Sequence, residues 1–147
     1  MRLWGALYGM TWLVFFEILL GAWPSPPFVV PYLHIALGLG IVLLAYSNFS
    51  HLRLTRVPGR VKRIARSTFQ LSLVTVFLGL ILEANVGTSW VVLGVSFFQW
   101  VLFFHLVLAL AIITQAAAVT IAHDMWEDRE FEKETEEGAI PPPPSPV

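Results

Sequence analysis

The chain of 147 residues contains no cysteine. This absence excludes disulfides, thiolate metal sites and cysteine nucleophiles, and it leaves the redox compartment undecided. Charge is also scarce, since 13% of the residues are charged against about 25% in an average soluble domain. Only two acidic residues, Glu17 and Glu83, precede Asp124. Such a composition is not that of a soluble domain. We expect the chain to lie in a lipid bilayer and not to bind nucleic acid.

Long apolar runs take the place of the missing charge. Hydrophobic residues make up 56% of the chain, and the mean hydropathy is +0.72. A helix needs about 20 apolar residues to cross a bilayer. The runs therefore predict an all-α membrane protein, an antiparallel bundle of four transmembrane helices within residues 1–123, with spans at about 3–23, 28–50, 67–84 and 97–122. The first run has the length of a span and no small-residue cleavage site, so we expect no cleavable signal peptide.

The charges that exist are strongly segregated. A predicted loop at residues 51–66 holds six of the nine basic residues. By the positive-inside rule this loop faces the cytoplasm, so both termini are predicted to be cytoplasmic in the plasma membrane of a prokaryote. The segment 124–147 holds eight of the ten acidic residues and ends in a proline-rich stretch. It is predicted to be a solvated helical extension that becomes disordered.

Two histidines lie inside apolar runs, His34 in the second predicted span and His105 in the fourth. Each is followed four residues later by a small residue, Gly38 or Ala109, which places that residue beneath the imidazole on one helix face. Counting residues from the start of each span places both histidines roughly 9–12 Å below the outer edge of the apolar layer. The pattern predicts heme b bound between axial ligands His34 and His105, with Gly38 and Ala109 giving clearance for the ring.

The two early carboxylates fall in the same outer layer of the predicted membrane. Glu17 precedes His34 in one predicted hairpin, and Glu83 precedes His105 in the other, which suggests a weak internal repeat. An ionisable residue inside a membrane is a functional candidate by default. Glu17 and Glu83 are therefore candidate catalytic proton carriers beside a heme edge, or else protonated hydrogen-bond donors with a structural role.

Two other interpretations of the same layer remain open. In one, His34 and His105 are structural, and hydrogen bonds to Glu17 and Glu83 hold the helices together. In the other, the four side chains bind zinc as a set of two histidines and two glutamates. The dry, apolar lining favours a macrocycle over zinc.

A second pair of histidines marks the inner ends of the second and fourth spans. His51 and His123 lie 17 and 18 residues after the first pair, about 26 Å along each helix. They are candidate ligands of a second heme, or two interfacial histidines without a ligand. The distance places them at or beyond the membrane edge, which favours the second interpretation.

Short motifs resemble the heme A synthase family. The stretch at 104–110 is similar to that family's His-Leu-x-x-Ala signature on the fourth helix. The third span, from Gln70 through residues 75–76 to 78–79, is similar to a scrambled form of its Gln, Thr-Val and Leu-Gly pattern. The resemblance extends over residues 3–123. Members usually consist of two four-helix bundles, each with a histidine on its second and fourth helices.

This resemblance implies a membrane oxidoreductase that oxidises a methyl group of heme O to give heme A for terminal oxidases. The chain would be a compact, single-bundle form that self-associates as a homo-oligomer, so that one copy holds a substrate heme and another an electron-transferring heme. A terminal oxidase or a heme O synthase would be its partner. Pro31 stands where larger members carry a glutamate and Ile35 where many carry an arginine, so Glu17 or Glu83 would replace the missing glutamate.

Three further functions fit the sequence. A b-type cytochrome subunit that only transfers electrons is favoured if His51 and His123 also bind heme. A small proton-coupled transporter is suggested by Glu17 in the first of four spans, although it has no use for a matched histidine pair. An accessory subunit of an oxidase with a purely structural role is the third.

Overall fold

The protein is a bundle of four long helices. Its structure, a computed structural model, describes residues 3–22 and 30–139. The elements in chain order are α1 Leu3–Ala22, α2 Val30–Leu54, α3 Gly59–Glu83, β1 Val91–Val92, β2 Val95–Ser96 and α4 Phe97–Ala139. All four helices contain a stretch that is long and apolar enough to cross a membrane. The predicted all-α fold with four candidate spans is confirmed.

The four helices pack as a ring of neighbours. The pairs α1–α2, α2–α3, α3–α4 and α1–α4 are in contact, so α2 and α4 lie diagonally across the bundle. The amide Nδ2 of Asn48 in α2 donates to the carbonyl oxygen of Ala6 near the start of α1, at 3.3 Å. Gly21, near the end of α1, lies against His34, near the start of α2. These contacts show that α1 and α2 run antiparallel.

Apolar side chains cover the outside of the bundle as well as its interior. Exposed examples occur on every helix: Phe16, Leu43, Phe77, Phe103 and Leu106. A water-soluble protein rarely exposes so much apolar surface, whereas lipid chains match it. The central interior is filled by one cluster of buried residues: Met10, Val14, Ile41, Ala45, Ile112 and Ala116. The pattern is that of a multi-pass membrane bundle.

Helices α2 and α3 both extend into the predicted basic loop at 51–66. Only residues 55–58 lie outside a helix. The ammonium group of Lys62 closes this turn by donating to the carbonyl oxygens of Arg53 and Thr55, at 3.2 and 2.7 Å. The prediction made the loop too long because it ended each helix where the apolar run ends. The helical backbone continues into the basic segment, where long basic side chains keep it solvated.

The connection between α3 and α4 contains a short antiparallel hairpin. Strands β1 and β2 are joined by Leu93 and Gly94, whose φ angles of 54° and 79° are those of a tight two-residue hairpin turn. The indole Nε1 of Trp100 donates to the carbonyl oxygen of Val92 at 3.1 Å. This bond ties the hairpin to the first turn of α4.

Helix α4 continues well past the predicted end of the fourth span at residue 122. It extends to Ala139, so the start of the acidic tail is helical. The predicted end of the first span at Trp23, the predicted start of the second at Phe28, and residues 140–147 of the proline-rich tail all lie outside the described residues.

The hairpins α1–α2 and α3–α4 share one pattern of burial. Four buried positions of α1 recur 58 residues later in α3: Leu7, Met10, Val14 and Glu17 correspond to Ala65, Thr68, Ser72 and Thr75. Four buried positions of α2 recur 71 residues later in α4: Ile41, Ala45, Asn48 and Leu52 correspond to Ile112, Ala116, Val119 and His123. The bundle is therefore an approximate structural repeat of two helical hairpins, although most of the paired residues differ.

Candidate functional site

The two intramembrane histidines meet across the diagonal of the bundle. The ring centres of His34 on α2 and His105 on α4 are 6.1 Å apart, and the ring planes are inclined by 56°. With a metal–nitrogen distance of about 2.0–2.1 Å, two imidazoles on opposite sides of one metal ion have ring centres about 6.4 Å apart. The observed spacing therefore suits a single metal ion between the rings, and it agrees with the depth that the sequence predicts for both residues.

The Nδ1 atom of each ring already has a neighbour. Nδ1–H of His105 donates to the backbone carbonyl oxygen of Thr75 at 3.0 Å. Nδ1 of His34 lies 3.0 Å from Oε1 of Glu17, a close polar contact whose angle falls short of a well-aligned hydrogen bond. A histidine that binds a metal usually gives its other ring N–H to a carboxylate or a backbone carbonyl. If a metal were bound, Nε2 would be the remaining ring nitrogen of each histidine.

Two glycines allow the rings to approach the neighbouring helices. A Cβ atom at Gly21 would lie 3.1 Å from Cε1 of His34, and one at Gly79 would lie 3.1 Å from Cε1 of His105. Within a helix a glycine is less stable than alanine by roughly 0.5–1 kcal/mol, so close packing is a physical reason for glycine at both places. The sequence analysis missed both glycines. The available signal was their separation of 58 residues, which is also the shift that relates α1 to α3.

Glu17 is the carboxylate of the site. Its side chain is buried, with the residue 8% exposed, and Gly38 lies beside it, since a Cβ there would be in ordinary contact with Oε1 at 3.5 Å. The second oxygen, Oε2, has no hydrogen-bond partner among the described residues. A buried carboxylate oxygen without a partner is unfavourable in an apolar bundle. Oε2 is therefore where a proton or a polar group of a ligand would be accommodated.

Glu83 does not occupy the equivalent place in the second hairpin. It is exposed at the last residue of α3, one helical turn beyond Gly79. The shift that carries Gly21 onto Gly79 carries Glu17 onto Thr75, so a backbone carbonyl takes the place of the predicted second carboxylate. Glu83 is about two helical turns from Thr75 along α3, so its exposed side chain does not occupy the place beside His105.

The small residues beneath the histidines have different surroundings from those predicted. Gly38 faces Glu17 rather than an imidazole, and Ala109 is half-buried on α4. The close contacts with the imidazole rings are made from the neighbouring helices, by Gly21 and Gly79. Sequence spacing within one helix could not reveal this, because the contact depends on how adjacent helices are aligned.

His51 and His123 have unlike environments. His51 is exposed, and its Nδ1 lies 2.8 Å from the carbonyl oxygen of Ser47 on its own helix. His123 is buried, 4% exposed, with Nδ1 3.6 Å from Oε2 of Glu127. The position of α2 that corresponds to His123 is Leu52, so the repeat does not pair the two histidines as it pairs His34 with His105. A second heme between them has no support in this geometry.

The side chains at the diagonal pair differ from the predicted set of two histidines and two glutamates. Glu83 is exposed, so the described residues offer His34, His105 and Glu17. A pair of imidazoles is the usual ligand set of a b-type heme. His34 and His105 are thus the residues that would hold a heme, and Glu17 lies beside His34.

The protein is thus a bundle of four membrane-length helices, with one histidine on each of two diagonally opposite helices. The chain has no match among protein-family models, curated proteins or solved structures. Any assignment to a particular family thus depends on the short motifs of the third and fourth helices and on the geometry of the histidine pair.

Proposed function

We propose that this protein is a membrane heme protein in which His34 and His105 are the axial ligands of one b-type heme. The observation that carries the proposal is the 6.1 Å separation of the two ring centres. The contacts of Nδ1 with Glu17 and Thr75 support it, because they leave Nε2 of each ring as the metal-binding nitrogen. A heme bound there supplies one-electron redox chemistry.

We further propose the orientation that the charges favour. The turn between α2 and α3 is flanked by exposed basic residues: Arg53, Arg56, Arg60, Arg63 and Arg66. Under the positive-inside rule this end of the bundle faces the cytoplasm of a prokaryotic cell, together with both chain termini. The histidine pair then lies in the outer half of the plasma membrane.

The specific reaction that we propose is the one implied by the resemblance to heme A synthases, oxidation of a methyl group of heme O to give heme A. The histidine of the 104–110 motif is one of the two paired histidines, which supports the proposal. This oxidation needs an external electron acceptor, with water or dioxygen as the source of the formyl oxygen. Glu17 would accept a proton released in it, because Oε2 is buried beside His34 and has no hydrogen-bond partner among the described residues. A second copy of the chain would hold the electron-transferring heme.

A second candidate, electron transfer without further chemistry, is favoured by one observation. Glu17 Oε1 is in contact with His34, so the one carboxylate that the described residues place beside the pair is partly engaged in orienting an imidazole. His34 and His105 would both hold the iron, and a heme held in this way would supply one-electron transfer. A b-type cytochrome subunit needs no free acid.

Extraction of the bound hemes separates the two candidates. The protein is purified in detergent from cells that also produce a heme O synthase, and its hemes are extracted and identified by chromatography. Heme A or its hydroxylated precursor, present with the wild type and absent with His105→Ala, would support the synthase. Heme b alone, reversibly reduced and oxidised, would support the electron carrier and contradict the synthase.

A further inference from the structure

The opposite end of the bundle contains a second cluster of metal-binding side chains. His123, Asp124 and Glu127 each place one ligand atom within 4.8 Å of the other two. They lie on one stretch of α4, 18 residues beyond His105, about 27 Å away along the helix. The cluster is therefore separate from the histidine pair.

Two atoms of this cluster are buried without a partner. Nδ1 of His123 and Oδ1 of Asp124 have no hydrogen-bond partner among the described residues. The nearest carboxylate oxygen to Nδ1 is Oε2 of Glu127 at 3.6 Å, too far for a hydrogen bond. His123 as a whole is only 4% exposed. A buried imidazole nitrogen and a buried carboxylate oxygen, both unpartnered and both beside Glu127, mark a place for a cation.

A third side chain fixes the aspartate. The phenolic O–H of Tyr8, on α1, donates to Oδ2 of Asp124 at 2.6 Å. Carboxylates and histidines that bind metals are commonly held by such outer contacts, which orient the ligand atom before the metal arrives. Because Oδ2 is engaged, Oδ1 is the oxygen available to a cation, and the contact joins α1 to α4.

We propose that His123, Asp124 and Glu127 bind one divalent transition-metal ion of the Zn²⁺ class where α4 leaves the apolar layer. Imidazole with carboxylates is a usual ligand set for such ions, and water completes the coordination. A metal at about 2.0–2.2 Å from each ligand holds the ligand atoms about 3–4 Å apart. The exposed side chain of Glu127 reaches this arrangement by rotation. The ion then links α4, through Asp124 and Tyr8, to α1.

Zinc titration of the full chain tests the proposal. The protein carries no polyhistidine tag, is treated with a chelator, and is titrated with Zn²⁺ by calorimetry and in competition with a chromogenic chelator. We expect one Zn²⁺ per chain. His123→Ala and Glu127→Gln should each weaken binding by about a hundredfold, and Tyr8→Phe, which removes only an outer contact, by about tenfold.

Two matched variants control for adventitious binding. His51→Ala removes an exposed histidine elsewhere on the bundle, and Glu130→Gln removes a carboxylate that pairs with Lys133. Both should bind Zn²⁺ as the wild type does, and circular dichroism should show unchanged helicity in every variant. Because Glu127 is exposed, Glu127→Gln remains informative even if His123→Ala fails to fold.

Three results would overturn the proposal. These are absence of Zn²⁺ binding by the wild type, undiminished binding by Glu127→Gln, and binding that falls equally with His51→Ala. The experiment does not depend on the heme assignment, because neither the readout nor the fold control involves heme.

Discussion

The two helical hairpins hold their histidines in the same way but give them different electrostatic surroundings. Each ring lies against a glycine of the preceding helix, with Cε1 of the ring 3.1 Å from the position of a Cβ. Beside Nδ1, however, His34 has the carboxylate of Glu17 and His105 has the backbone carbonyl of Thr75. The position of each ring thus depends on helix packing and on a glycine, and these are the same in both hairpins. The polar group beside Nδ1 differs, because only the first hairpin has a glutamate there.

Helices α1 and α3, which contribute Glu17 and Thr75, also differ in the polarity of their other buried residues. The buried positions of α1 before Glu17 are apolar, whereas α3 has the hydroxyl residues Thr68 and Ser72. Those hydroxyls donate to carbonyl oxygens of their own helix, at 2.9 and 2.8 Å, so their burial leaves no unpaired donor. One bundle shape therefore accommodates two quite different sequences, which is why the repeat is clear in burial and weak in residue identity.

The largest effect should come from removing either histidine. We expect His34→Ala and His105→Ala each to retain less than about a tenth of the wild-type heme, because one axial ligand is lost in both. Pyridine hemochrome absorbance per mole of protein measures the retained heme, and His51→Ala, which removes an exposed histidine, should retain all of it. A normal low-spin heme spectrum in His105→Ala would count strongly against the ligand assignment.

Replacing Gly21 or Gly79 by alanine should weaken heme binding less than removing a histidine does, and by the same amount in both variants. In Gly21→Ala and Gly79→Ala the new Cβ displaces the imidazole by a few tenths of an ångström, and such overpacking costs about 1–3 kcal/mol. We expect heme affinity to fall by about tenfold in both variants, measured by titration of heme into the apoprotein.

Two glycines of α1 provide the matched controls for this comparison. A Cβ at Gly5 or Gly9 meets no heavy atom within 4 Å, so Gly5→Ala and Gly9→Ala should bind heme normally. A loss in Gly79→Ala without one in Gly21→Ala would show that the two ring environments are not equivalent.

Neutralising Glu17 should reveal the difference between the hairpins. An ionised carboxylate beside His34 would favour ferric over ferrous iron, so if Glu17 acts in this way Glu17→Gln is expected to raise the heme midpoint potential by roughly 50–100 mV. Thr75→Val removes the hydroxyl that donates to the carbonyl oxygen of Leu71 and keeps the carbonyl beside His105, so the potential should not change. Potentiometric titration followed optically measures both variants, and equal shifts would contradict the assigned asymmetry.

The smallest effect should come from shortening the chain. Truncation after Glu137 removes the last two residues of α4, which are far along the helix from His105, together with residues 140–147. We expect unchanged heme content per mole of protein. A large loss of heme on truncation would give the tail a structural role in the bundle.

The sequence predicted the parts of the structure that depend on apolarity and helical rise. Four apolar runs are enough to locate four membrane-length helices, and counting residues along them places His34 and His105 at one depth. It did not predict the ends of α2 and α3, because the helical backbone continues after apolarity ends. It also assigned Glu83 to the site, because the hairpin between α3 and α4 has no strong signal at residues 84–96.

The neighbours of the histidines were beyond prediction for a different reason. Gly21 and Gly79 contact the rings from adjacent helices, and the partner of His105 at Thr75 is a backbone atom that any residue could supply. Comparing only ionisable residues paired Glu17 with Glu83, whereas helix packing pairs Glu17 with Thr75. The relevant pattern lies in burial and in two glycines, and it becomes visible once the helices are aligned in space.

The central claim, that His34 and His105 bind one iron between them, is tested most directly by the visible spectrum of the purified protein, oxidised and dithionite-reduced, with pyridine hemochrome quantitation. The account predicts a low-spin, bis-histidine b-type spectrum and one heme per chain. Absence of heme, even after expression with excess heme precursor, would contradict it and would leave the two histidines as structural contacts between diagonal helices.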